Sequence, residues 1–244
     1  MKLTFLGAGD MFSFKQGHNS VLLEFDNTNL IIDFPESNCQ QLFKLGKDLT
    51  DIEHVFITHL HEDHINGLQL LGNYFRVYAK RKPVLIFAEE LYEELWQTLR
   101  TGMEPSMTGP KTLEDYFDVR TAGKAFTIGH TTFELVQTHH VPGMSTHGIV
   151  ADPYFYFTGD TSLDSGFLTS LPDRIQTIFH ECHLQNDTLK SHTSLSELLT
   201  LPENVRKKLV LMHYHDQYAD DQARFELEQK TGLRIAGPQS VFTF

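Results

Sequence analysis

One short segment restricts the fold of this chain more than any other feature. Residues 56–67 read FITHLHEDHING and place His59, His61, Asp63 and His64 within six positions. The segment directly follows an apolar run, which is typical of a strand that ends in a loop. Imidazole nitrogens and a carboxylate oxygen are donors that suit zinc, iron or manganese. The segment therefore predicts part of a metal site, provided that further ligands follow downstream.

Three later segments supply such ligands, each at the end of a predicted strand. TFELVQTHHVPG carries His139 and His140, YFYFTGDTS carries Asp160, and KLVLMHYHD carries His213 and His215. Each of these histidines alone is as compatible with a surface or core position as with a ligand. Together they predict ligands that converge at one rim of a sheet, where a bridging carboxylate can hold two cations close together.

Composition limits the class of protein. The chain has 244 residues, 40% of them hydrophobic, and a formal net charge of −12. We expect one α/β domain over residues 1–244, with two small domains as the alternative. The acidic balance argues against a broad basic surface for nucleic acid. With only Cys39 and Cys182, neither a disulfide framework nor a thiolate zinc site is predicted, and a cytoplasmic setting is favoured.

Strand and helix patterns alternate along the chain. Short apolar runs such as KLTFLG, SVLLEF and IQTIFHE predict strands, and none approaches the length of a membrane span, so we expect a soluble protein. Helical spacing is clearest over residues 89–100 and over 222–232, where Gly232 is placed as a C-cap. Residues 100–116 predict a long loop, interpreted as an active-site flap, a dimer contact or a variable surface loop.

The motif HLHEDH, residues 59–64, resembles the HxHxDH signature of the metallo-β-lactamase fold. The order of the later histidine and aspartate segments is similar to that superfamily over the whole chain. The resemblance implies a four-layer αβ/βα sandwich with the site at one edge between two sheets. It also implies two divalent cations, for which we expect zinc, with manganese as the alternative. The implied ligands are His59, His61 and His140 for one metal, Asp63, His64 and His213 for the other, and Asp160 as the bridge.

Two neighbouring histidines leave alternatives open. His139 stands beside His140, and HVPG after the doublet resembles the His-x-x-Gly turn that favours His140. His215 stands two positions after His213, and we expect it to contact substrate. Asp33, which ends the run NLIIDF, is expected to be a hydrogen-bonding residue beside the metal loop and not a ligand.

Two further segments resemble the ribonuclease Z-like phosphodiesterase branch of this superfamily. FHECHLQNDTLKSHTSLSEL is similar to the part of these enzymes that carries a proton-relay pair, which implies this role for Glu181 and His192, although Ser191 replaces the usual glycine. A carboxylate beside an imidazole can keep it protonated, ready to donate to a leaving oxygen. LGAGDMFSFKQGHNSVLLE is similar to the first turn of the branch, so we expect His18 and Asn19 to face the substrate, with a plain turn as the alternative.

The expected function is metal-dependent hydrolysis of a small phosphodiester. Two cations would lower the pKa of a bridging water to give hydroxide, Asp63 would orient it while coordinating, and His192 would protonate the leaving alcohol with Glu181 behind it. The branch includes compact cyclic-nucleotide phosphodiesterases, some of them phage enzymes that degrade immune-signalling cyclic mononucleotides, and these are commonly homodimers. The resemblance thus implies a cyclic mononucleotide substrate and a homodimer.

Other functions remain as alternatives. A ribonuclease Z-type RNA-processing nuclease carries a long basic, glycine-rich arm for transfer RNA, and no such insertion is visible in this sequence. A lactonase or thioesterase could use the same centre on an acyl group. A non-catalytic metal-binding or nucleotide-sensing module is disfavoured, because Asp63, Asp160 and His192 are all present.

Overall fold

Two mixed seven-stranded sheets form the frame of the computed structural model, which describes residues 1–79 and 81–244. The strands of the first sheet, in chain order, are β1 (Lys2–Gly7), β2 (Ser20–Phe25), β3 (Thr28–Ile32), β4 (His54–Ile57), β5 (Val84–Ala88), β6 (Asp118–Ala122) and β14 (Val241–Thr243). Their spatial order is β14-β1-β2-β3-β4-β5-β6. Strands β3 to β6 run parallel, so their carboxyl ends lie at the same edge.

The second sheet repeats this arrangement. Its strands are β7 (Ala125–Ile128), β8 (Thr131–Gln137), β9 (His147–Ala151), β10 (Phe155–Phe157), β11 (Thr177–Glu181), β12 (Leu209–Met212) and β13 (Arg234–Ile235). The spatial order is β13-β12-β11-β10-β9-β8-β7, and β10 to β13 are parallel. Asp160 and His213 follow the parallel strands β10 and β12, whereas His140 follows β8 in the antiparallel part of the sheet.

Alternation along the strands separates two hydrophobic clusters. On β4, Phe56 belongs to the cluster between the sheets, whereas Val55 belongs to the cluster that covers the outer face of the first sheet. Aromatic rings join the two sheets, as where Phe5 of β1 packs edge-on against Phe179 of β11 with 5.6 Å between the ring centroids. The near-continuous burial of these strands is typical of sheets that are covered on both faces.

Helices cover the sheets. They are α1 (Cys39–Lys44), α2 (Glu62–Ile65), α3 (Leu68–Tyr74), α4 (Tyr92–Met103), α5 (Ser165–Ser170), α6 (Leu195–Leu198), α7 (Glu203–Arg206) and α8 (Asp221–Thr231). The α4 stripe of Leu95, Leu99 and Met103 is buried in the outer cluster. Helix α8 ends at Gly232, whose φ of 72° is the left-handed conformation that glycine adopts most readily. Within the described ranges, no helix is long and apolar enough to cross a membrane.

The long loop predicted over residues 100–116 needs correction. Helix α4 continues to Met103, because this side chain extends the buried stripe one turn beyond Leu99. A short 3-10 turn over Leu113–Asp115 then orders the far end, with Leu113 buried. The irregular part is therefore residues 104–112. The prediction of an α/β chain with alternating strands and helices is confirmed.

Candidate metal centre

The segment after β4 brings four polar side chains to the edge between the sheets. His59 and His61 precede α2, and Asp63 and His64 lie within its single turn. His59, Asp63 and His64 are buried, which is unusual for such polar groups unless they have partners or bind a cation.

The first cluster joins this segment to the second sheet. His59, His61, His140 and Asp160 each offer a ligand atom, and these atoms lie within 4.8 Å of one another. His61 Nδ1 is 3.0 Å from His59 Nε2 and 3.1 Å from His140 Nε2. Ligand atoms that bind one zinc ion at about 2.0–2.1 Å in a tetrahedral site lie roughly 3.4 Å apart, so this spacing suits a shared cation.

A second cluster lies beside the first. The ligand atoms of Asp63, His64 and His213 are also within 4.8 Å of one another. The Oδ2 atom of Asp160 is 3.5 Å from His64 Nε2, 3.2 Å from His213 Nε2 and 3.8 Å from His59 Nε2. One carboxylate oxygen thus faces both clusters, as the resemblance implied for a bridging ligand.

Hydrogen bonds on the outer side fix which imidazole nitrogens face the clusters. His140 Nδ1 lies 2.7 Å from the carbonyl oxygen of Ser191, and His64 Nδ1 lies 2.7 Å from Asp33 Oδ2. Asp33 also accepts hydrogen bonds from the Thr58 amide and hydroxyl, each at 2.8 Å. Donation from Nδ1 leaves the Nε2 lone pair for a metal, and such outer partners orient ligands in known metal sites. Asp33 has the hydrogen-bonding place that we expected for it.

The donor set fits two divalent cations. His64 Nε2 and Asp160 Oδ1 are buried without a hydrogen-bond partner among the described residues. Unsatisfied buried polar atoms are rare unless they serve a ligand or strained site. Burial favours a neutral Asp63, yet His64 and His213 outweigh it and hold the pKa of Asp63 below its ordinary value. Burial and the neighbouring His64 lower the pKa of His59, which favours the neutral imidazole that a metal binds.

In each of the two pairs of neighbouring histidines, one histidine lies in a ligand cluster and the other lies outside both clusters. His140 lies in the first cluster, whereas the His139 side chain is exposed. His213 lies in the second cluster, and His215 lines the cavity beside it. His213 has a φ of 61°, and its amide donates to the carbonyl of Ala8 at 2.8 Å. A left-handed conformation outside glycine costs of order 1–3 kcal/mol and is typical of functional sites.

Glu181 and His192 form a pair next to the clusters. Glu181 ends β11 and is fully buried, and its Oε1 atom lies 3.1 Å from His192 Nδ1. The same oxygen accepts hydrogen bonds from the amides of Thr161 and Thr193 at 3.1 and 3.2 Å. The His192 ring stacks on that of His213, with 5.4 Å between centroids. The pair is therefore rigid, and Nε2 of His192 remains available on the side of the clusters.

A cavity of about 280 Å³ lies above the clusters. Asp63, Asp160 and His213 line its floor, and His192 and His215 lie at its side. The remaining walls come from Asp10, Met11, Phe12, His61, His183, Gln185 and Leu189. The space is small, and apolar side chains face the polar floor.

Two predicted substrate contacts lie away from this cavity. His18 lines an adjoining cavity of about 470 Å³ that also reaches Asp63, and its Nδ1 is 3.1 Å from Ser37 Oγ. Asn19 is buried and lines neither cavity, and both of its amide atoms are without a hydrogen-bond partner among the described residues.

The sequence interpretation missed the apolar side of the cavity. Met11, Phe12 and Leu189 line it, although none belongs to a predicted strand or helix. The available signal was two large apolar residues between Asp10 and Ser13, where a tight turn normally carries small polar residues.

Known proteins are similar to this chain in sequence. A family model described as "Anti-Pycsar protein Apyc1" matches residues 1–237. The chain belongs to the Apyc1 family. An anti-Pycsar protein Apyc1 of Paenibacillus harenae is 36% identical over 250 residues, covering 98% of this chain and 98% of that protein. Another, from Bacillus phage 010DV004, is 34% identical over 253 residues, with 95% and 97% covered.

A solved structure extends the comparison to the fold. The metallo-β-lactamase fold protein YhfI from Bacillus subtilis superimposes with a TM-score of 0.78 at 18% identity, covering 99% of this chain and 98% of that one. At this identity the likeness establishes the fold alone. The predicted metallo-β-lactamase fold is confirmed for this Apyc1 family member.

Proposed function

We propose that this Apyc1 family member hydrolyses a 3′,5′-cyclic mononucleotide. The observation that carries the proposal is the position of the Glu181–His192 pair beside two metal-ligand clusters that share Asp160. The fold and the clustered histidine and aspartate side chains support a metal-dependent hydrolase. Bound divalent cations would supply an activated water and would neutralise charge that grows on the phosphoryl oxygens.

Side chains of the protein itself would bind the substrate and transfer the proton. Asp63 and Asp160 hold negative charge on the cavity floor, so a phosphodiester can approach only when cations offset that charge. His192 lies at the side of the cavity, where its Nε2 can donate a proton to the leaving ribose oxygen. Glu181 holds the other ring nitrogen and thereby fixes the direction of donation.

The substrate class is supported by size and charge. The cavity of about 280 Å³ lies just below the range for small-molecule pockets, which is roughly 300–1,000 Å³, and so suits a small substrate. The net charge of −12 disfavours long nucleic acids, which bind mainly through many phosphate contacts. Membership of the Apyc1 family and the resemblance to compact cyclic-nucleotide phosphodiesterases support the same class.

The test is a substrate panel on the purified, metal-loaded protein. The panel contains four cyclic mononucleotides, a precursor transfer RNA and a lactone, each compared by initial rate per metal-loaded chain. We expect a cyclic mononucleotide to be cleaved fastest. Faster cleavage of the transfer RNA would support the RNA-processing alternative, and faster opening of the lactone would support acyl chemistry.

We further propose that the two cations are zinc and that the active form is a cytoplasmic homodimer. Histidine-rich ligand sets with carboxylates suit zinc, and manganese is the alternative. Residues 104–112 carry the fully exposed Met107 and are the segment that we expect to reach the partner. Residues 1–244 are proposed to act as one domain, because β14 pairs with β1 and brings both chain ends into one sheet.

A further inference from the structure

The loop between β1 and β2 exposes an unusual run of apolar side chains. Met11, Phe12 and Phe14 are 50%, 61% and 90% exposed. Single exposed apolar residues are common, but here Met11 and Phe12 line the same cavity as the metal ligands. An apolar surface that faces a substrate cavity is a candidate binding surface.

This loop is held by a distant segment of the chain. The carbonyl oxygen of Tyr214 accepts hydrogen bonds from Ser13 Oγ at 3.1 Å and from Gln16 Nε2 at 2.9 Å. The carboxylate of Asp216 accepts the Phe14 amide at 2.7 Å and the Lys15 amide at 3.1 Å. Hydrogen bonds to an ionised acceptor are stronger than neutral ones. The loop is therefore fixed to the segment that follows the metal ligand His213.

We propose that Asp216 is a positioning residue, which holds the 10–17 loop so that Phe12 and Met11 form the surface on which the nucleobase of the substrate packs. The inference rests on the proposed function. The inference adds to that function a surface that recognises the base. It also adds a residue outside the metal centre that keeps this surface in place.

The arrangement of the cavity supports a base at this position. The scissile phosphate must lie on the floor near Asp63 and Asp160, where the cations bind. The rest of a small substrate then extends towards the walls, and Met11, Phe12 and Leu189 supply apolar contact there. An aromatic ring stacks on any nucleobase without reading its hydrogen-bonding edge. Such a surface favours tolerance for different bases, with the larger purines bound more strongly.

The fixed loop explains how exposed side chains can contribute to affinity. A loop that is ordered before binding loses little conformational entropy when substrate arrives. Two charge-assisted bonds from loop amides to Asp216 and two bonds from loop side chains to the Tyr214 carbonyl supply this order. Without Asp216, the loop would sample other positions, and the stacking surface would be present for only part of the time.

The experiment compares a substrate that has a base with one that lacks it. The two probes are 3′,5′-cyclic AMP and 1-O-methyl-ribose 3′,5′-cyclic phosphate, measured with the zinc-loaded protein. Phe12→Ala should lower kcat/KM for cyclic AMP roughly 5- to 100-fold, the range expected for loss of one stacked base. The base-free probe should change less than about twofold, because it has no base to stack.

Asp216 is tested with a double-mutant cycle. Asp216→Ala should reduce cyclic AMP cleavage selectively, as Phe12→Ala does, and the double variant should be no worse than the more severe single variant. Asp216→Asn keeps one acceptor oxygen and should retain most of the selectivity for cyclic AMP, which also covers the case in which Asp216→Ala fails to fold. Asp220→Ala is the matched control, since Asp220 caps α8 through the amides of Gln222 and Ala223 in the same region and should leave the ratio of the two probes unchanged.

The possible outcomes separate the inference from the proposed function. Equal losses on both probes, or additive effects of Phe12 and Asp216, would overturn the inference while leaving the phosphodiesterase proposal intact. A changed sedimentation profile of Phe12→Ala, with an unchanged ratio of the probes, would instead assign this surface to a second copy of the chain. If the unmodified protein cleaves neither these probes nor any of the four cyclic mononucleotides of the substrate panel, the proposed function itself is wrong.

Discussion

Asp33→Asn should remove metal from the centre without unfolding the chain. One carboxylate oxygen of Asp33 lies 2.7 Å from His64 Nδ1 and 2.8 Å from the Thr58 hydroxyl, and the other accepts the Thr58 amide at 2.8 Å. All of these groups approach Asp33 as donors. An amide side chain of the same shape presents one NH₂ group in place of an oxygen, so in either orientation a donor meets a donor.

The substitution should reach the ligands through their tautomers. If the new NH₂ faces His64, the Nδ1 atom of that ring must become the acceptor, and its proton moves to Nε2, which is the atom that faces the second cluster. The same NH₂ can donate to the Thr58 hydroxyl, which then donates to His59 Nδ1 at 3.0 Å, so the His59 proton also moves to the metal side. Both imidazoles would then offer N–H where the cations need lone pairs.

The size of the effect follows from these contacts. Loss of an outer partner of one ligand typically weakens metal binding 10–100-fold, and His59 and His64 belong to different clusters, so we expect roughly 10- to 100-fold weaker binding of each cation. Replacing charge-assisted bonds should cost about 1–3 kcal/mol of stability in the metal-free chain, which leaves the fold in place.

The assay is a zinc titration in competition with a chromophoric chelator, with thermal unfolding of the metal-free protein recorded by circular dichroism. Asp26→Asn is the matched control, because Asp26 lies at the opposite end of β3 and accepts the exposed His130 amide at 3.0 Å. Zinc affinity equal to that of the unmodified chain in Asp33→Asn would refute the tautomer argument. A loss of the folded circular dichroism signal would show that Asp33 is needed for folding, and not for ligand orientation.

Further predictions concern metal, acid catalysis and assembly. Elemental analysis after zinc loading should give two cations per chain, and less than one would contradict the ligand assignment. Zinc affinity should rise as the pH increases above about 6.5, the ordinary pKa of histidine, because the carboxylates around His64 outweigh its burial and raise its pKa, so a proton competes with the cation. His192→Ala should retain both cations yet lose roughly a hundredfold or more in rate on cyclic AMP. It should lose much less on a p-nitrophenyl ester, whose leaving group scarcely needs a proton, and equal losses would exclude the acid role. If residues 104–112 of one protomer complete the site of the other, mixing inactive His192→Ala with an inactive variant lacking residues 104–112 should restore activity. A mixture that stays inactive would argue against a shared site.

The parts of the centre that the sequence predicted are those encoded locally. The HLHEDH segment holds four side chains close together in the chain, so the ligand pattern is readable without knowing the fold. His140 could be preferred over His139 because the turn after it is also local. Strand β13, with only the residues Arg234–Ile235, was beyond prediction, since so short a pair lacks a readable period and forms by pairing with β12.

The apolar wall of the cavity could not be predicted from the sequence, because its position depends on contacts between residues that are far apart in the chain. Met11 and Phe12 gain their position from hydrogen bonds to residues about 200 positions later, such as Phe14 to Asp216. Local propensity describes this stretch only as a turn that contains Gly9 and Gly17. Its role as a cavity wall appears only once the ends of the two sheets are side by side.

Backbone strain at the two sheet edges connects the fold to the chemistry. Asp33 directly follows β3 with a φ of 59°, and His213 directly follows β12 with a φ of 61°. Each amide is nevertheless satisfied at 2.8 Å, Asp33 by the carbonyl of Phe56 and His213 by that of Ala8. A left-handed residue at the end of a parallel strand turns the chain sharply, so the first side chain beyond the strand can face the gap between the sheets instead of continuing along the strand direction. The cost of order 1–3 kcal/mol at each position is small beside the burial that fixes both strands, so the sheets can hold a ligand and a ligand-orienting carboxylate in place before any cation arrives.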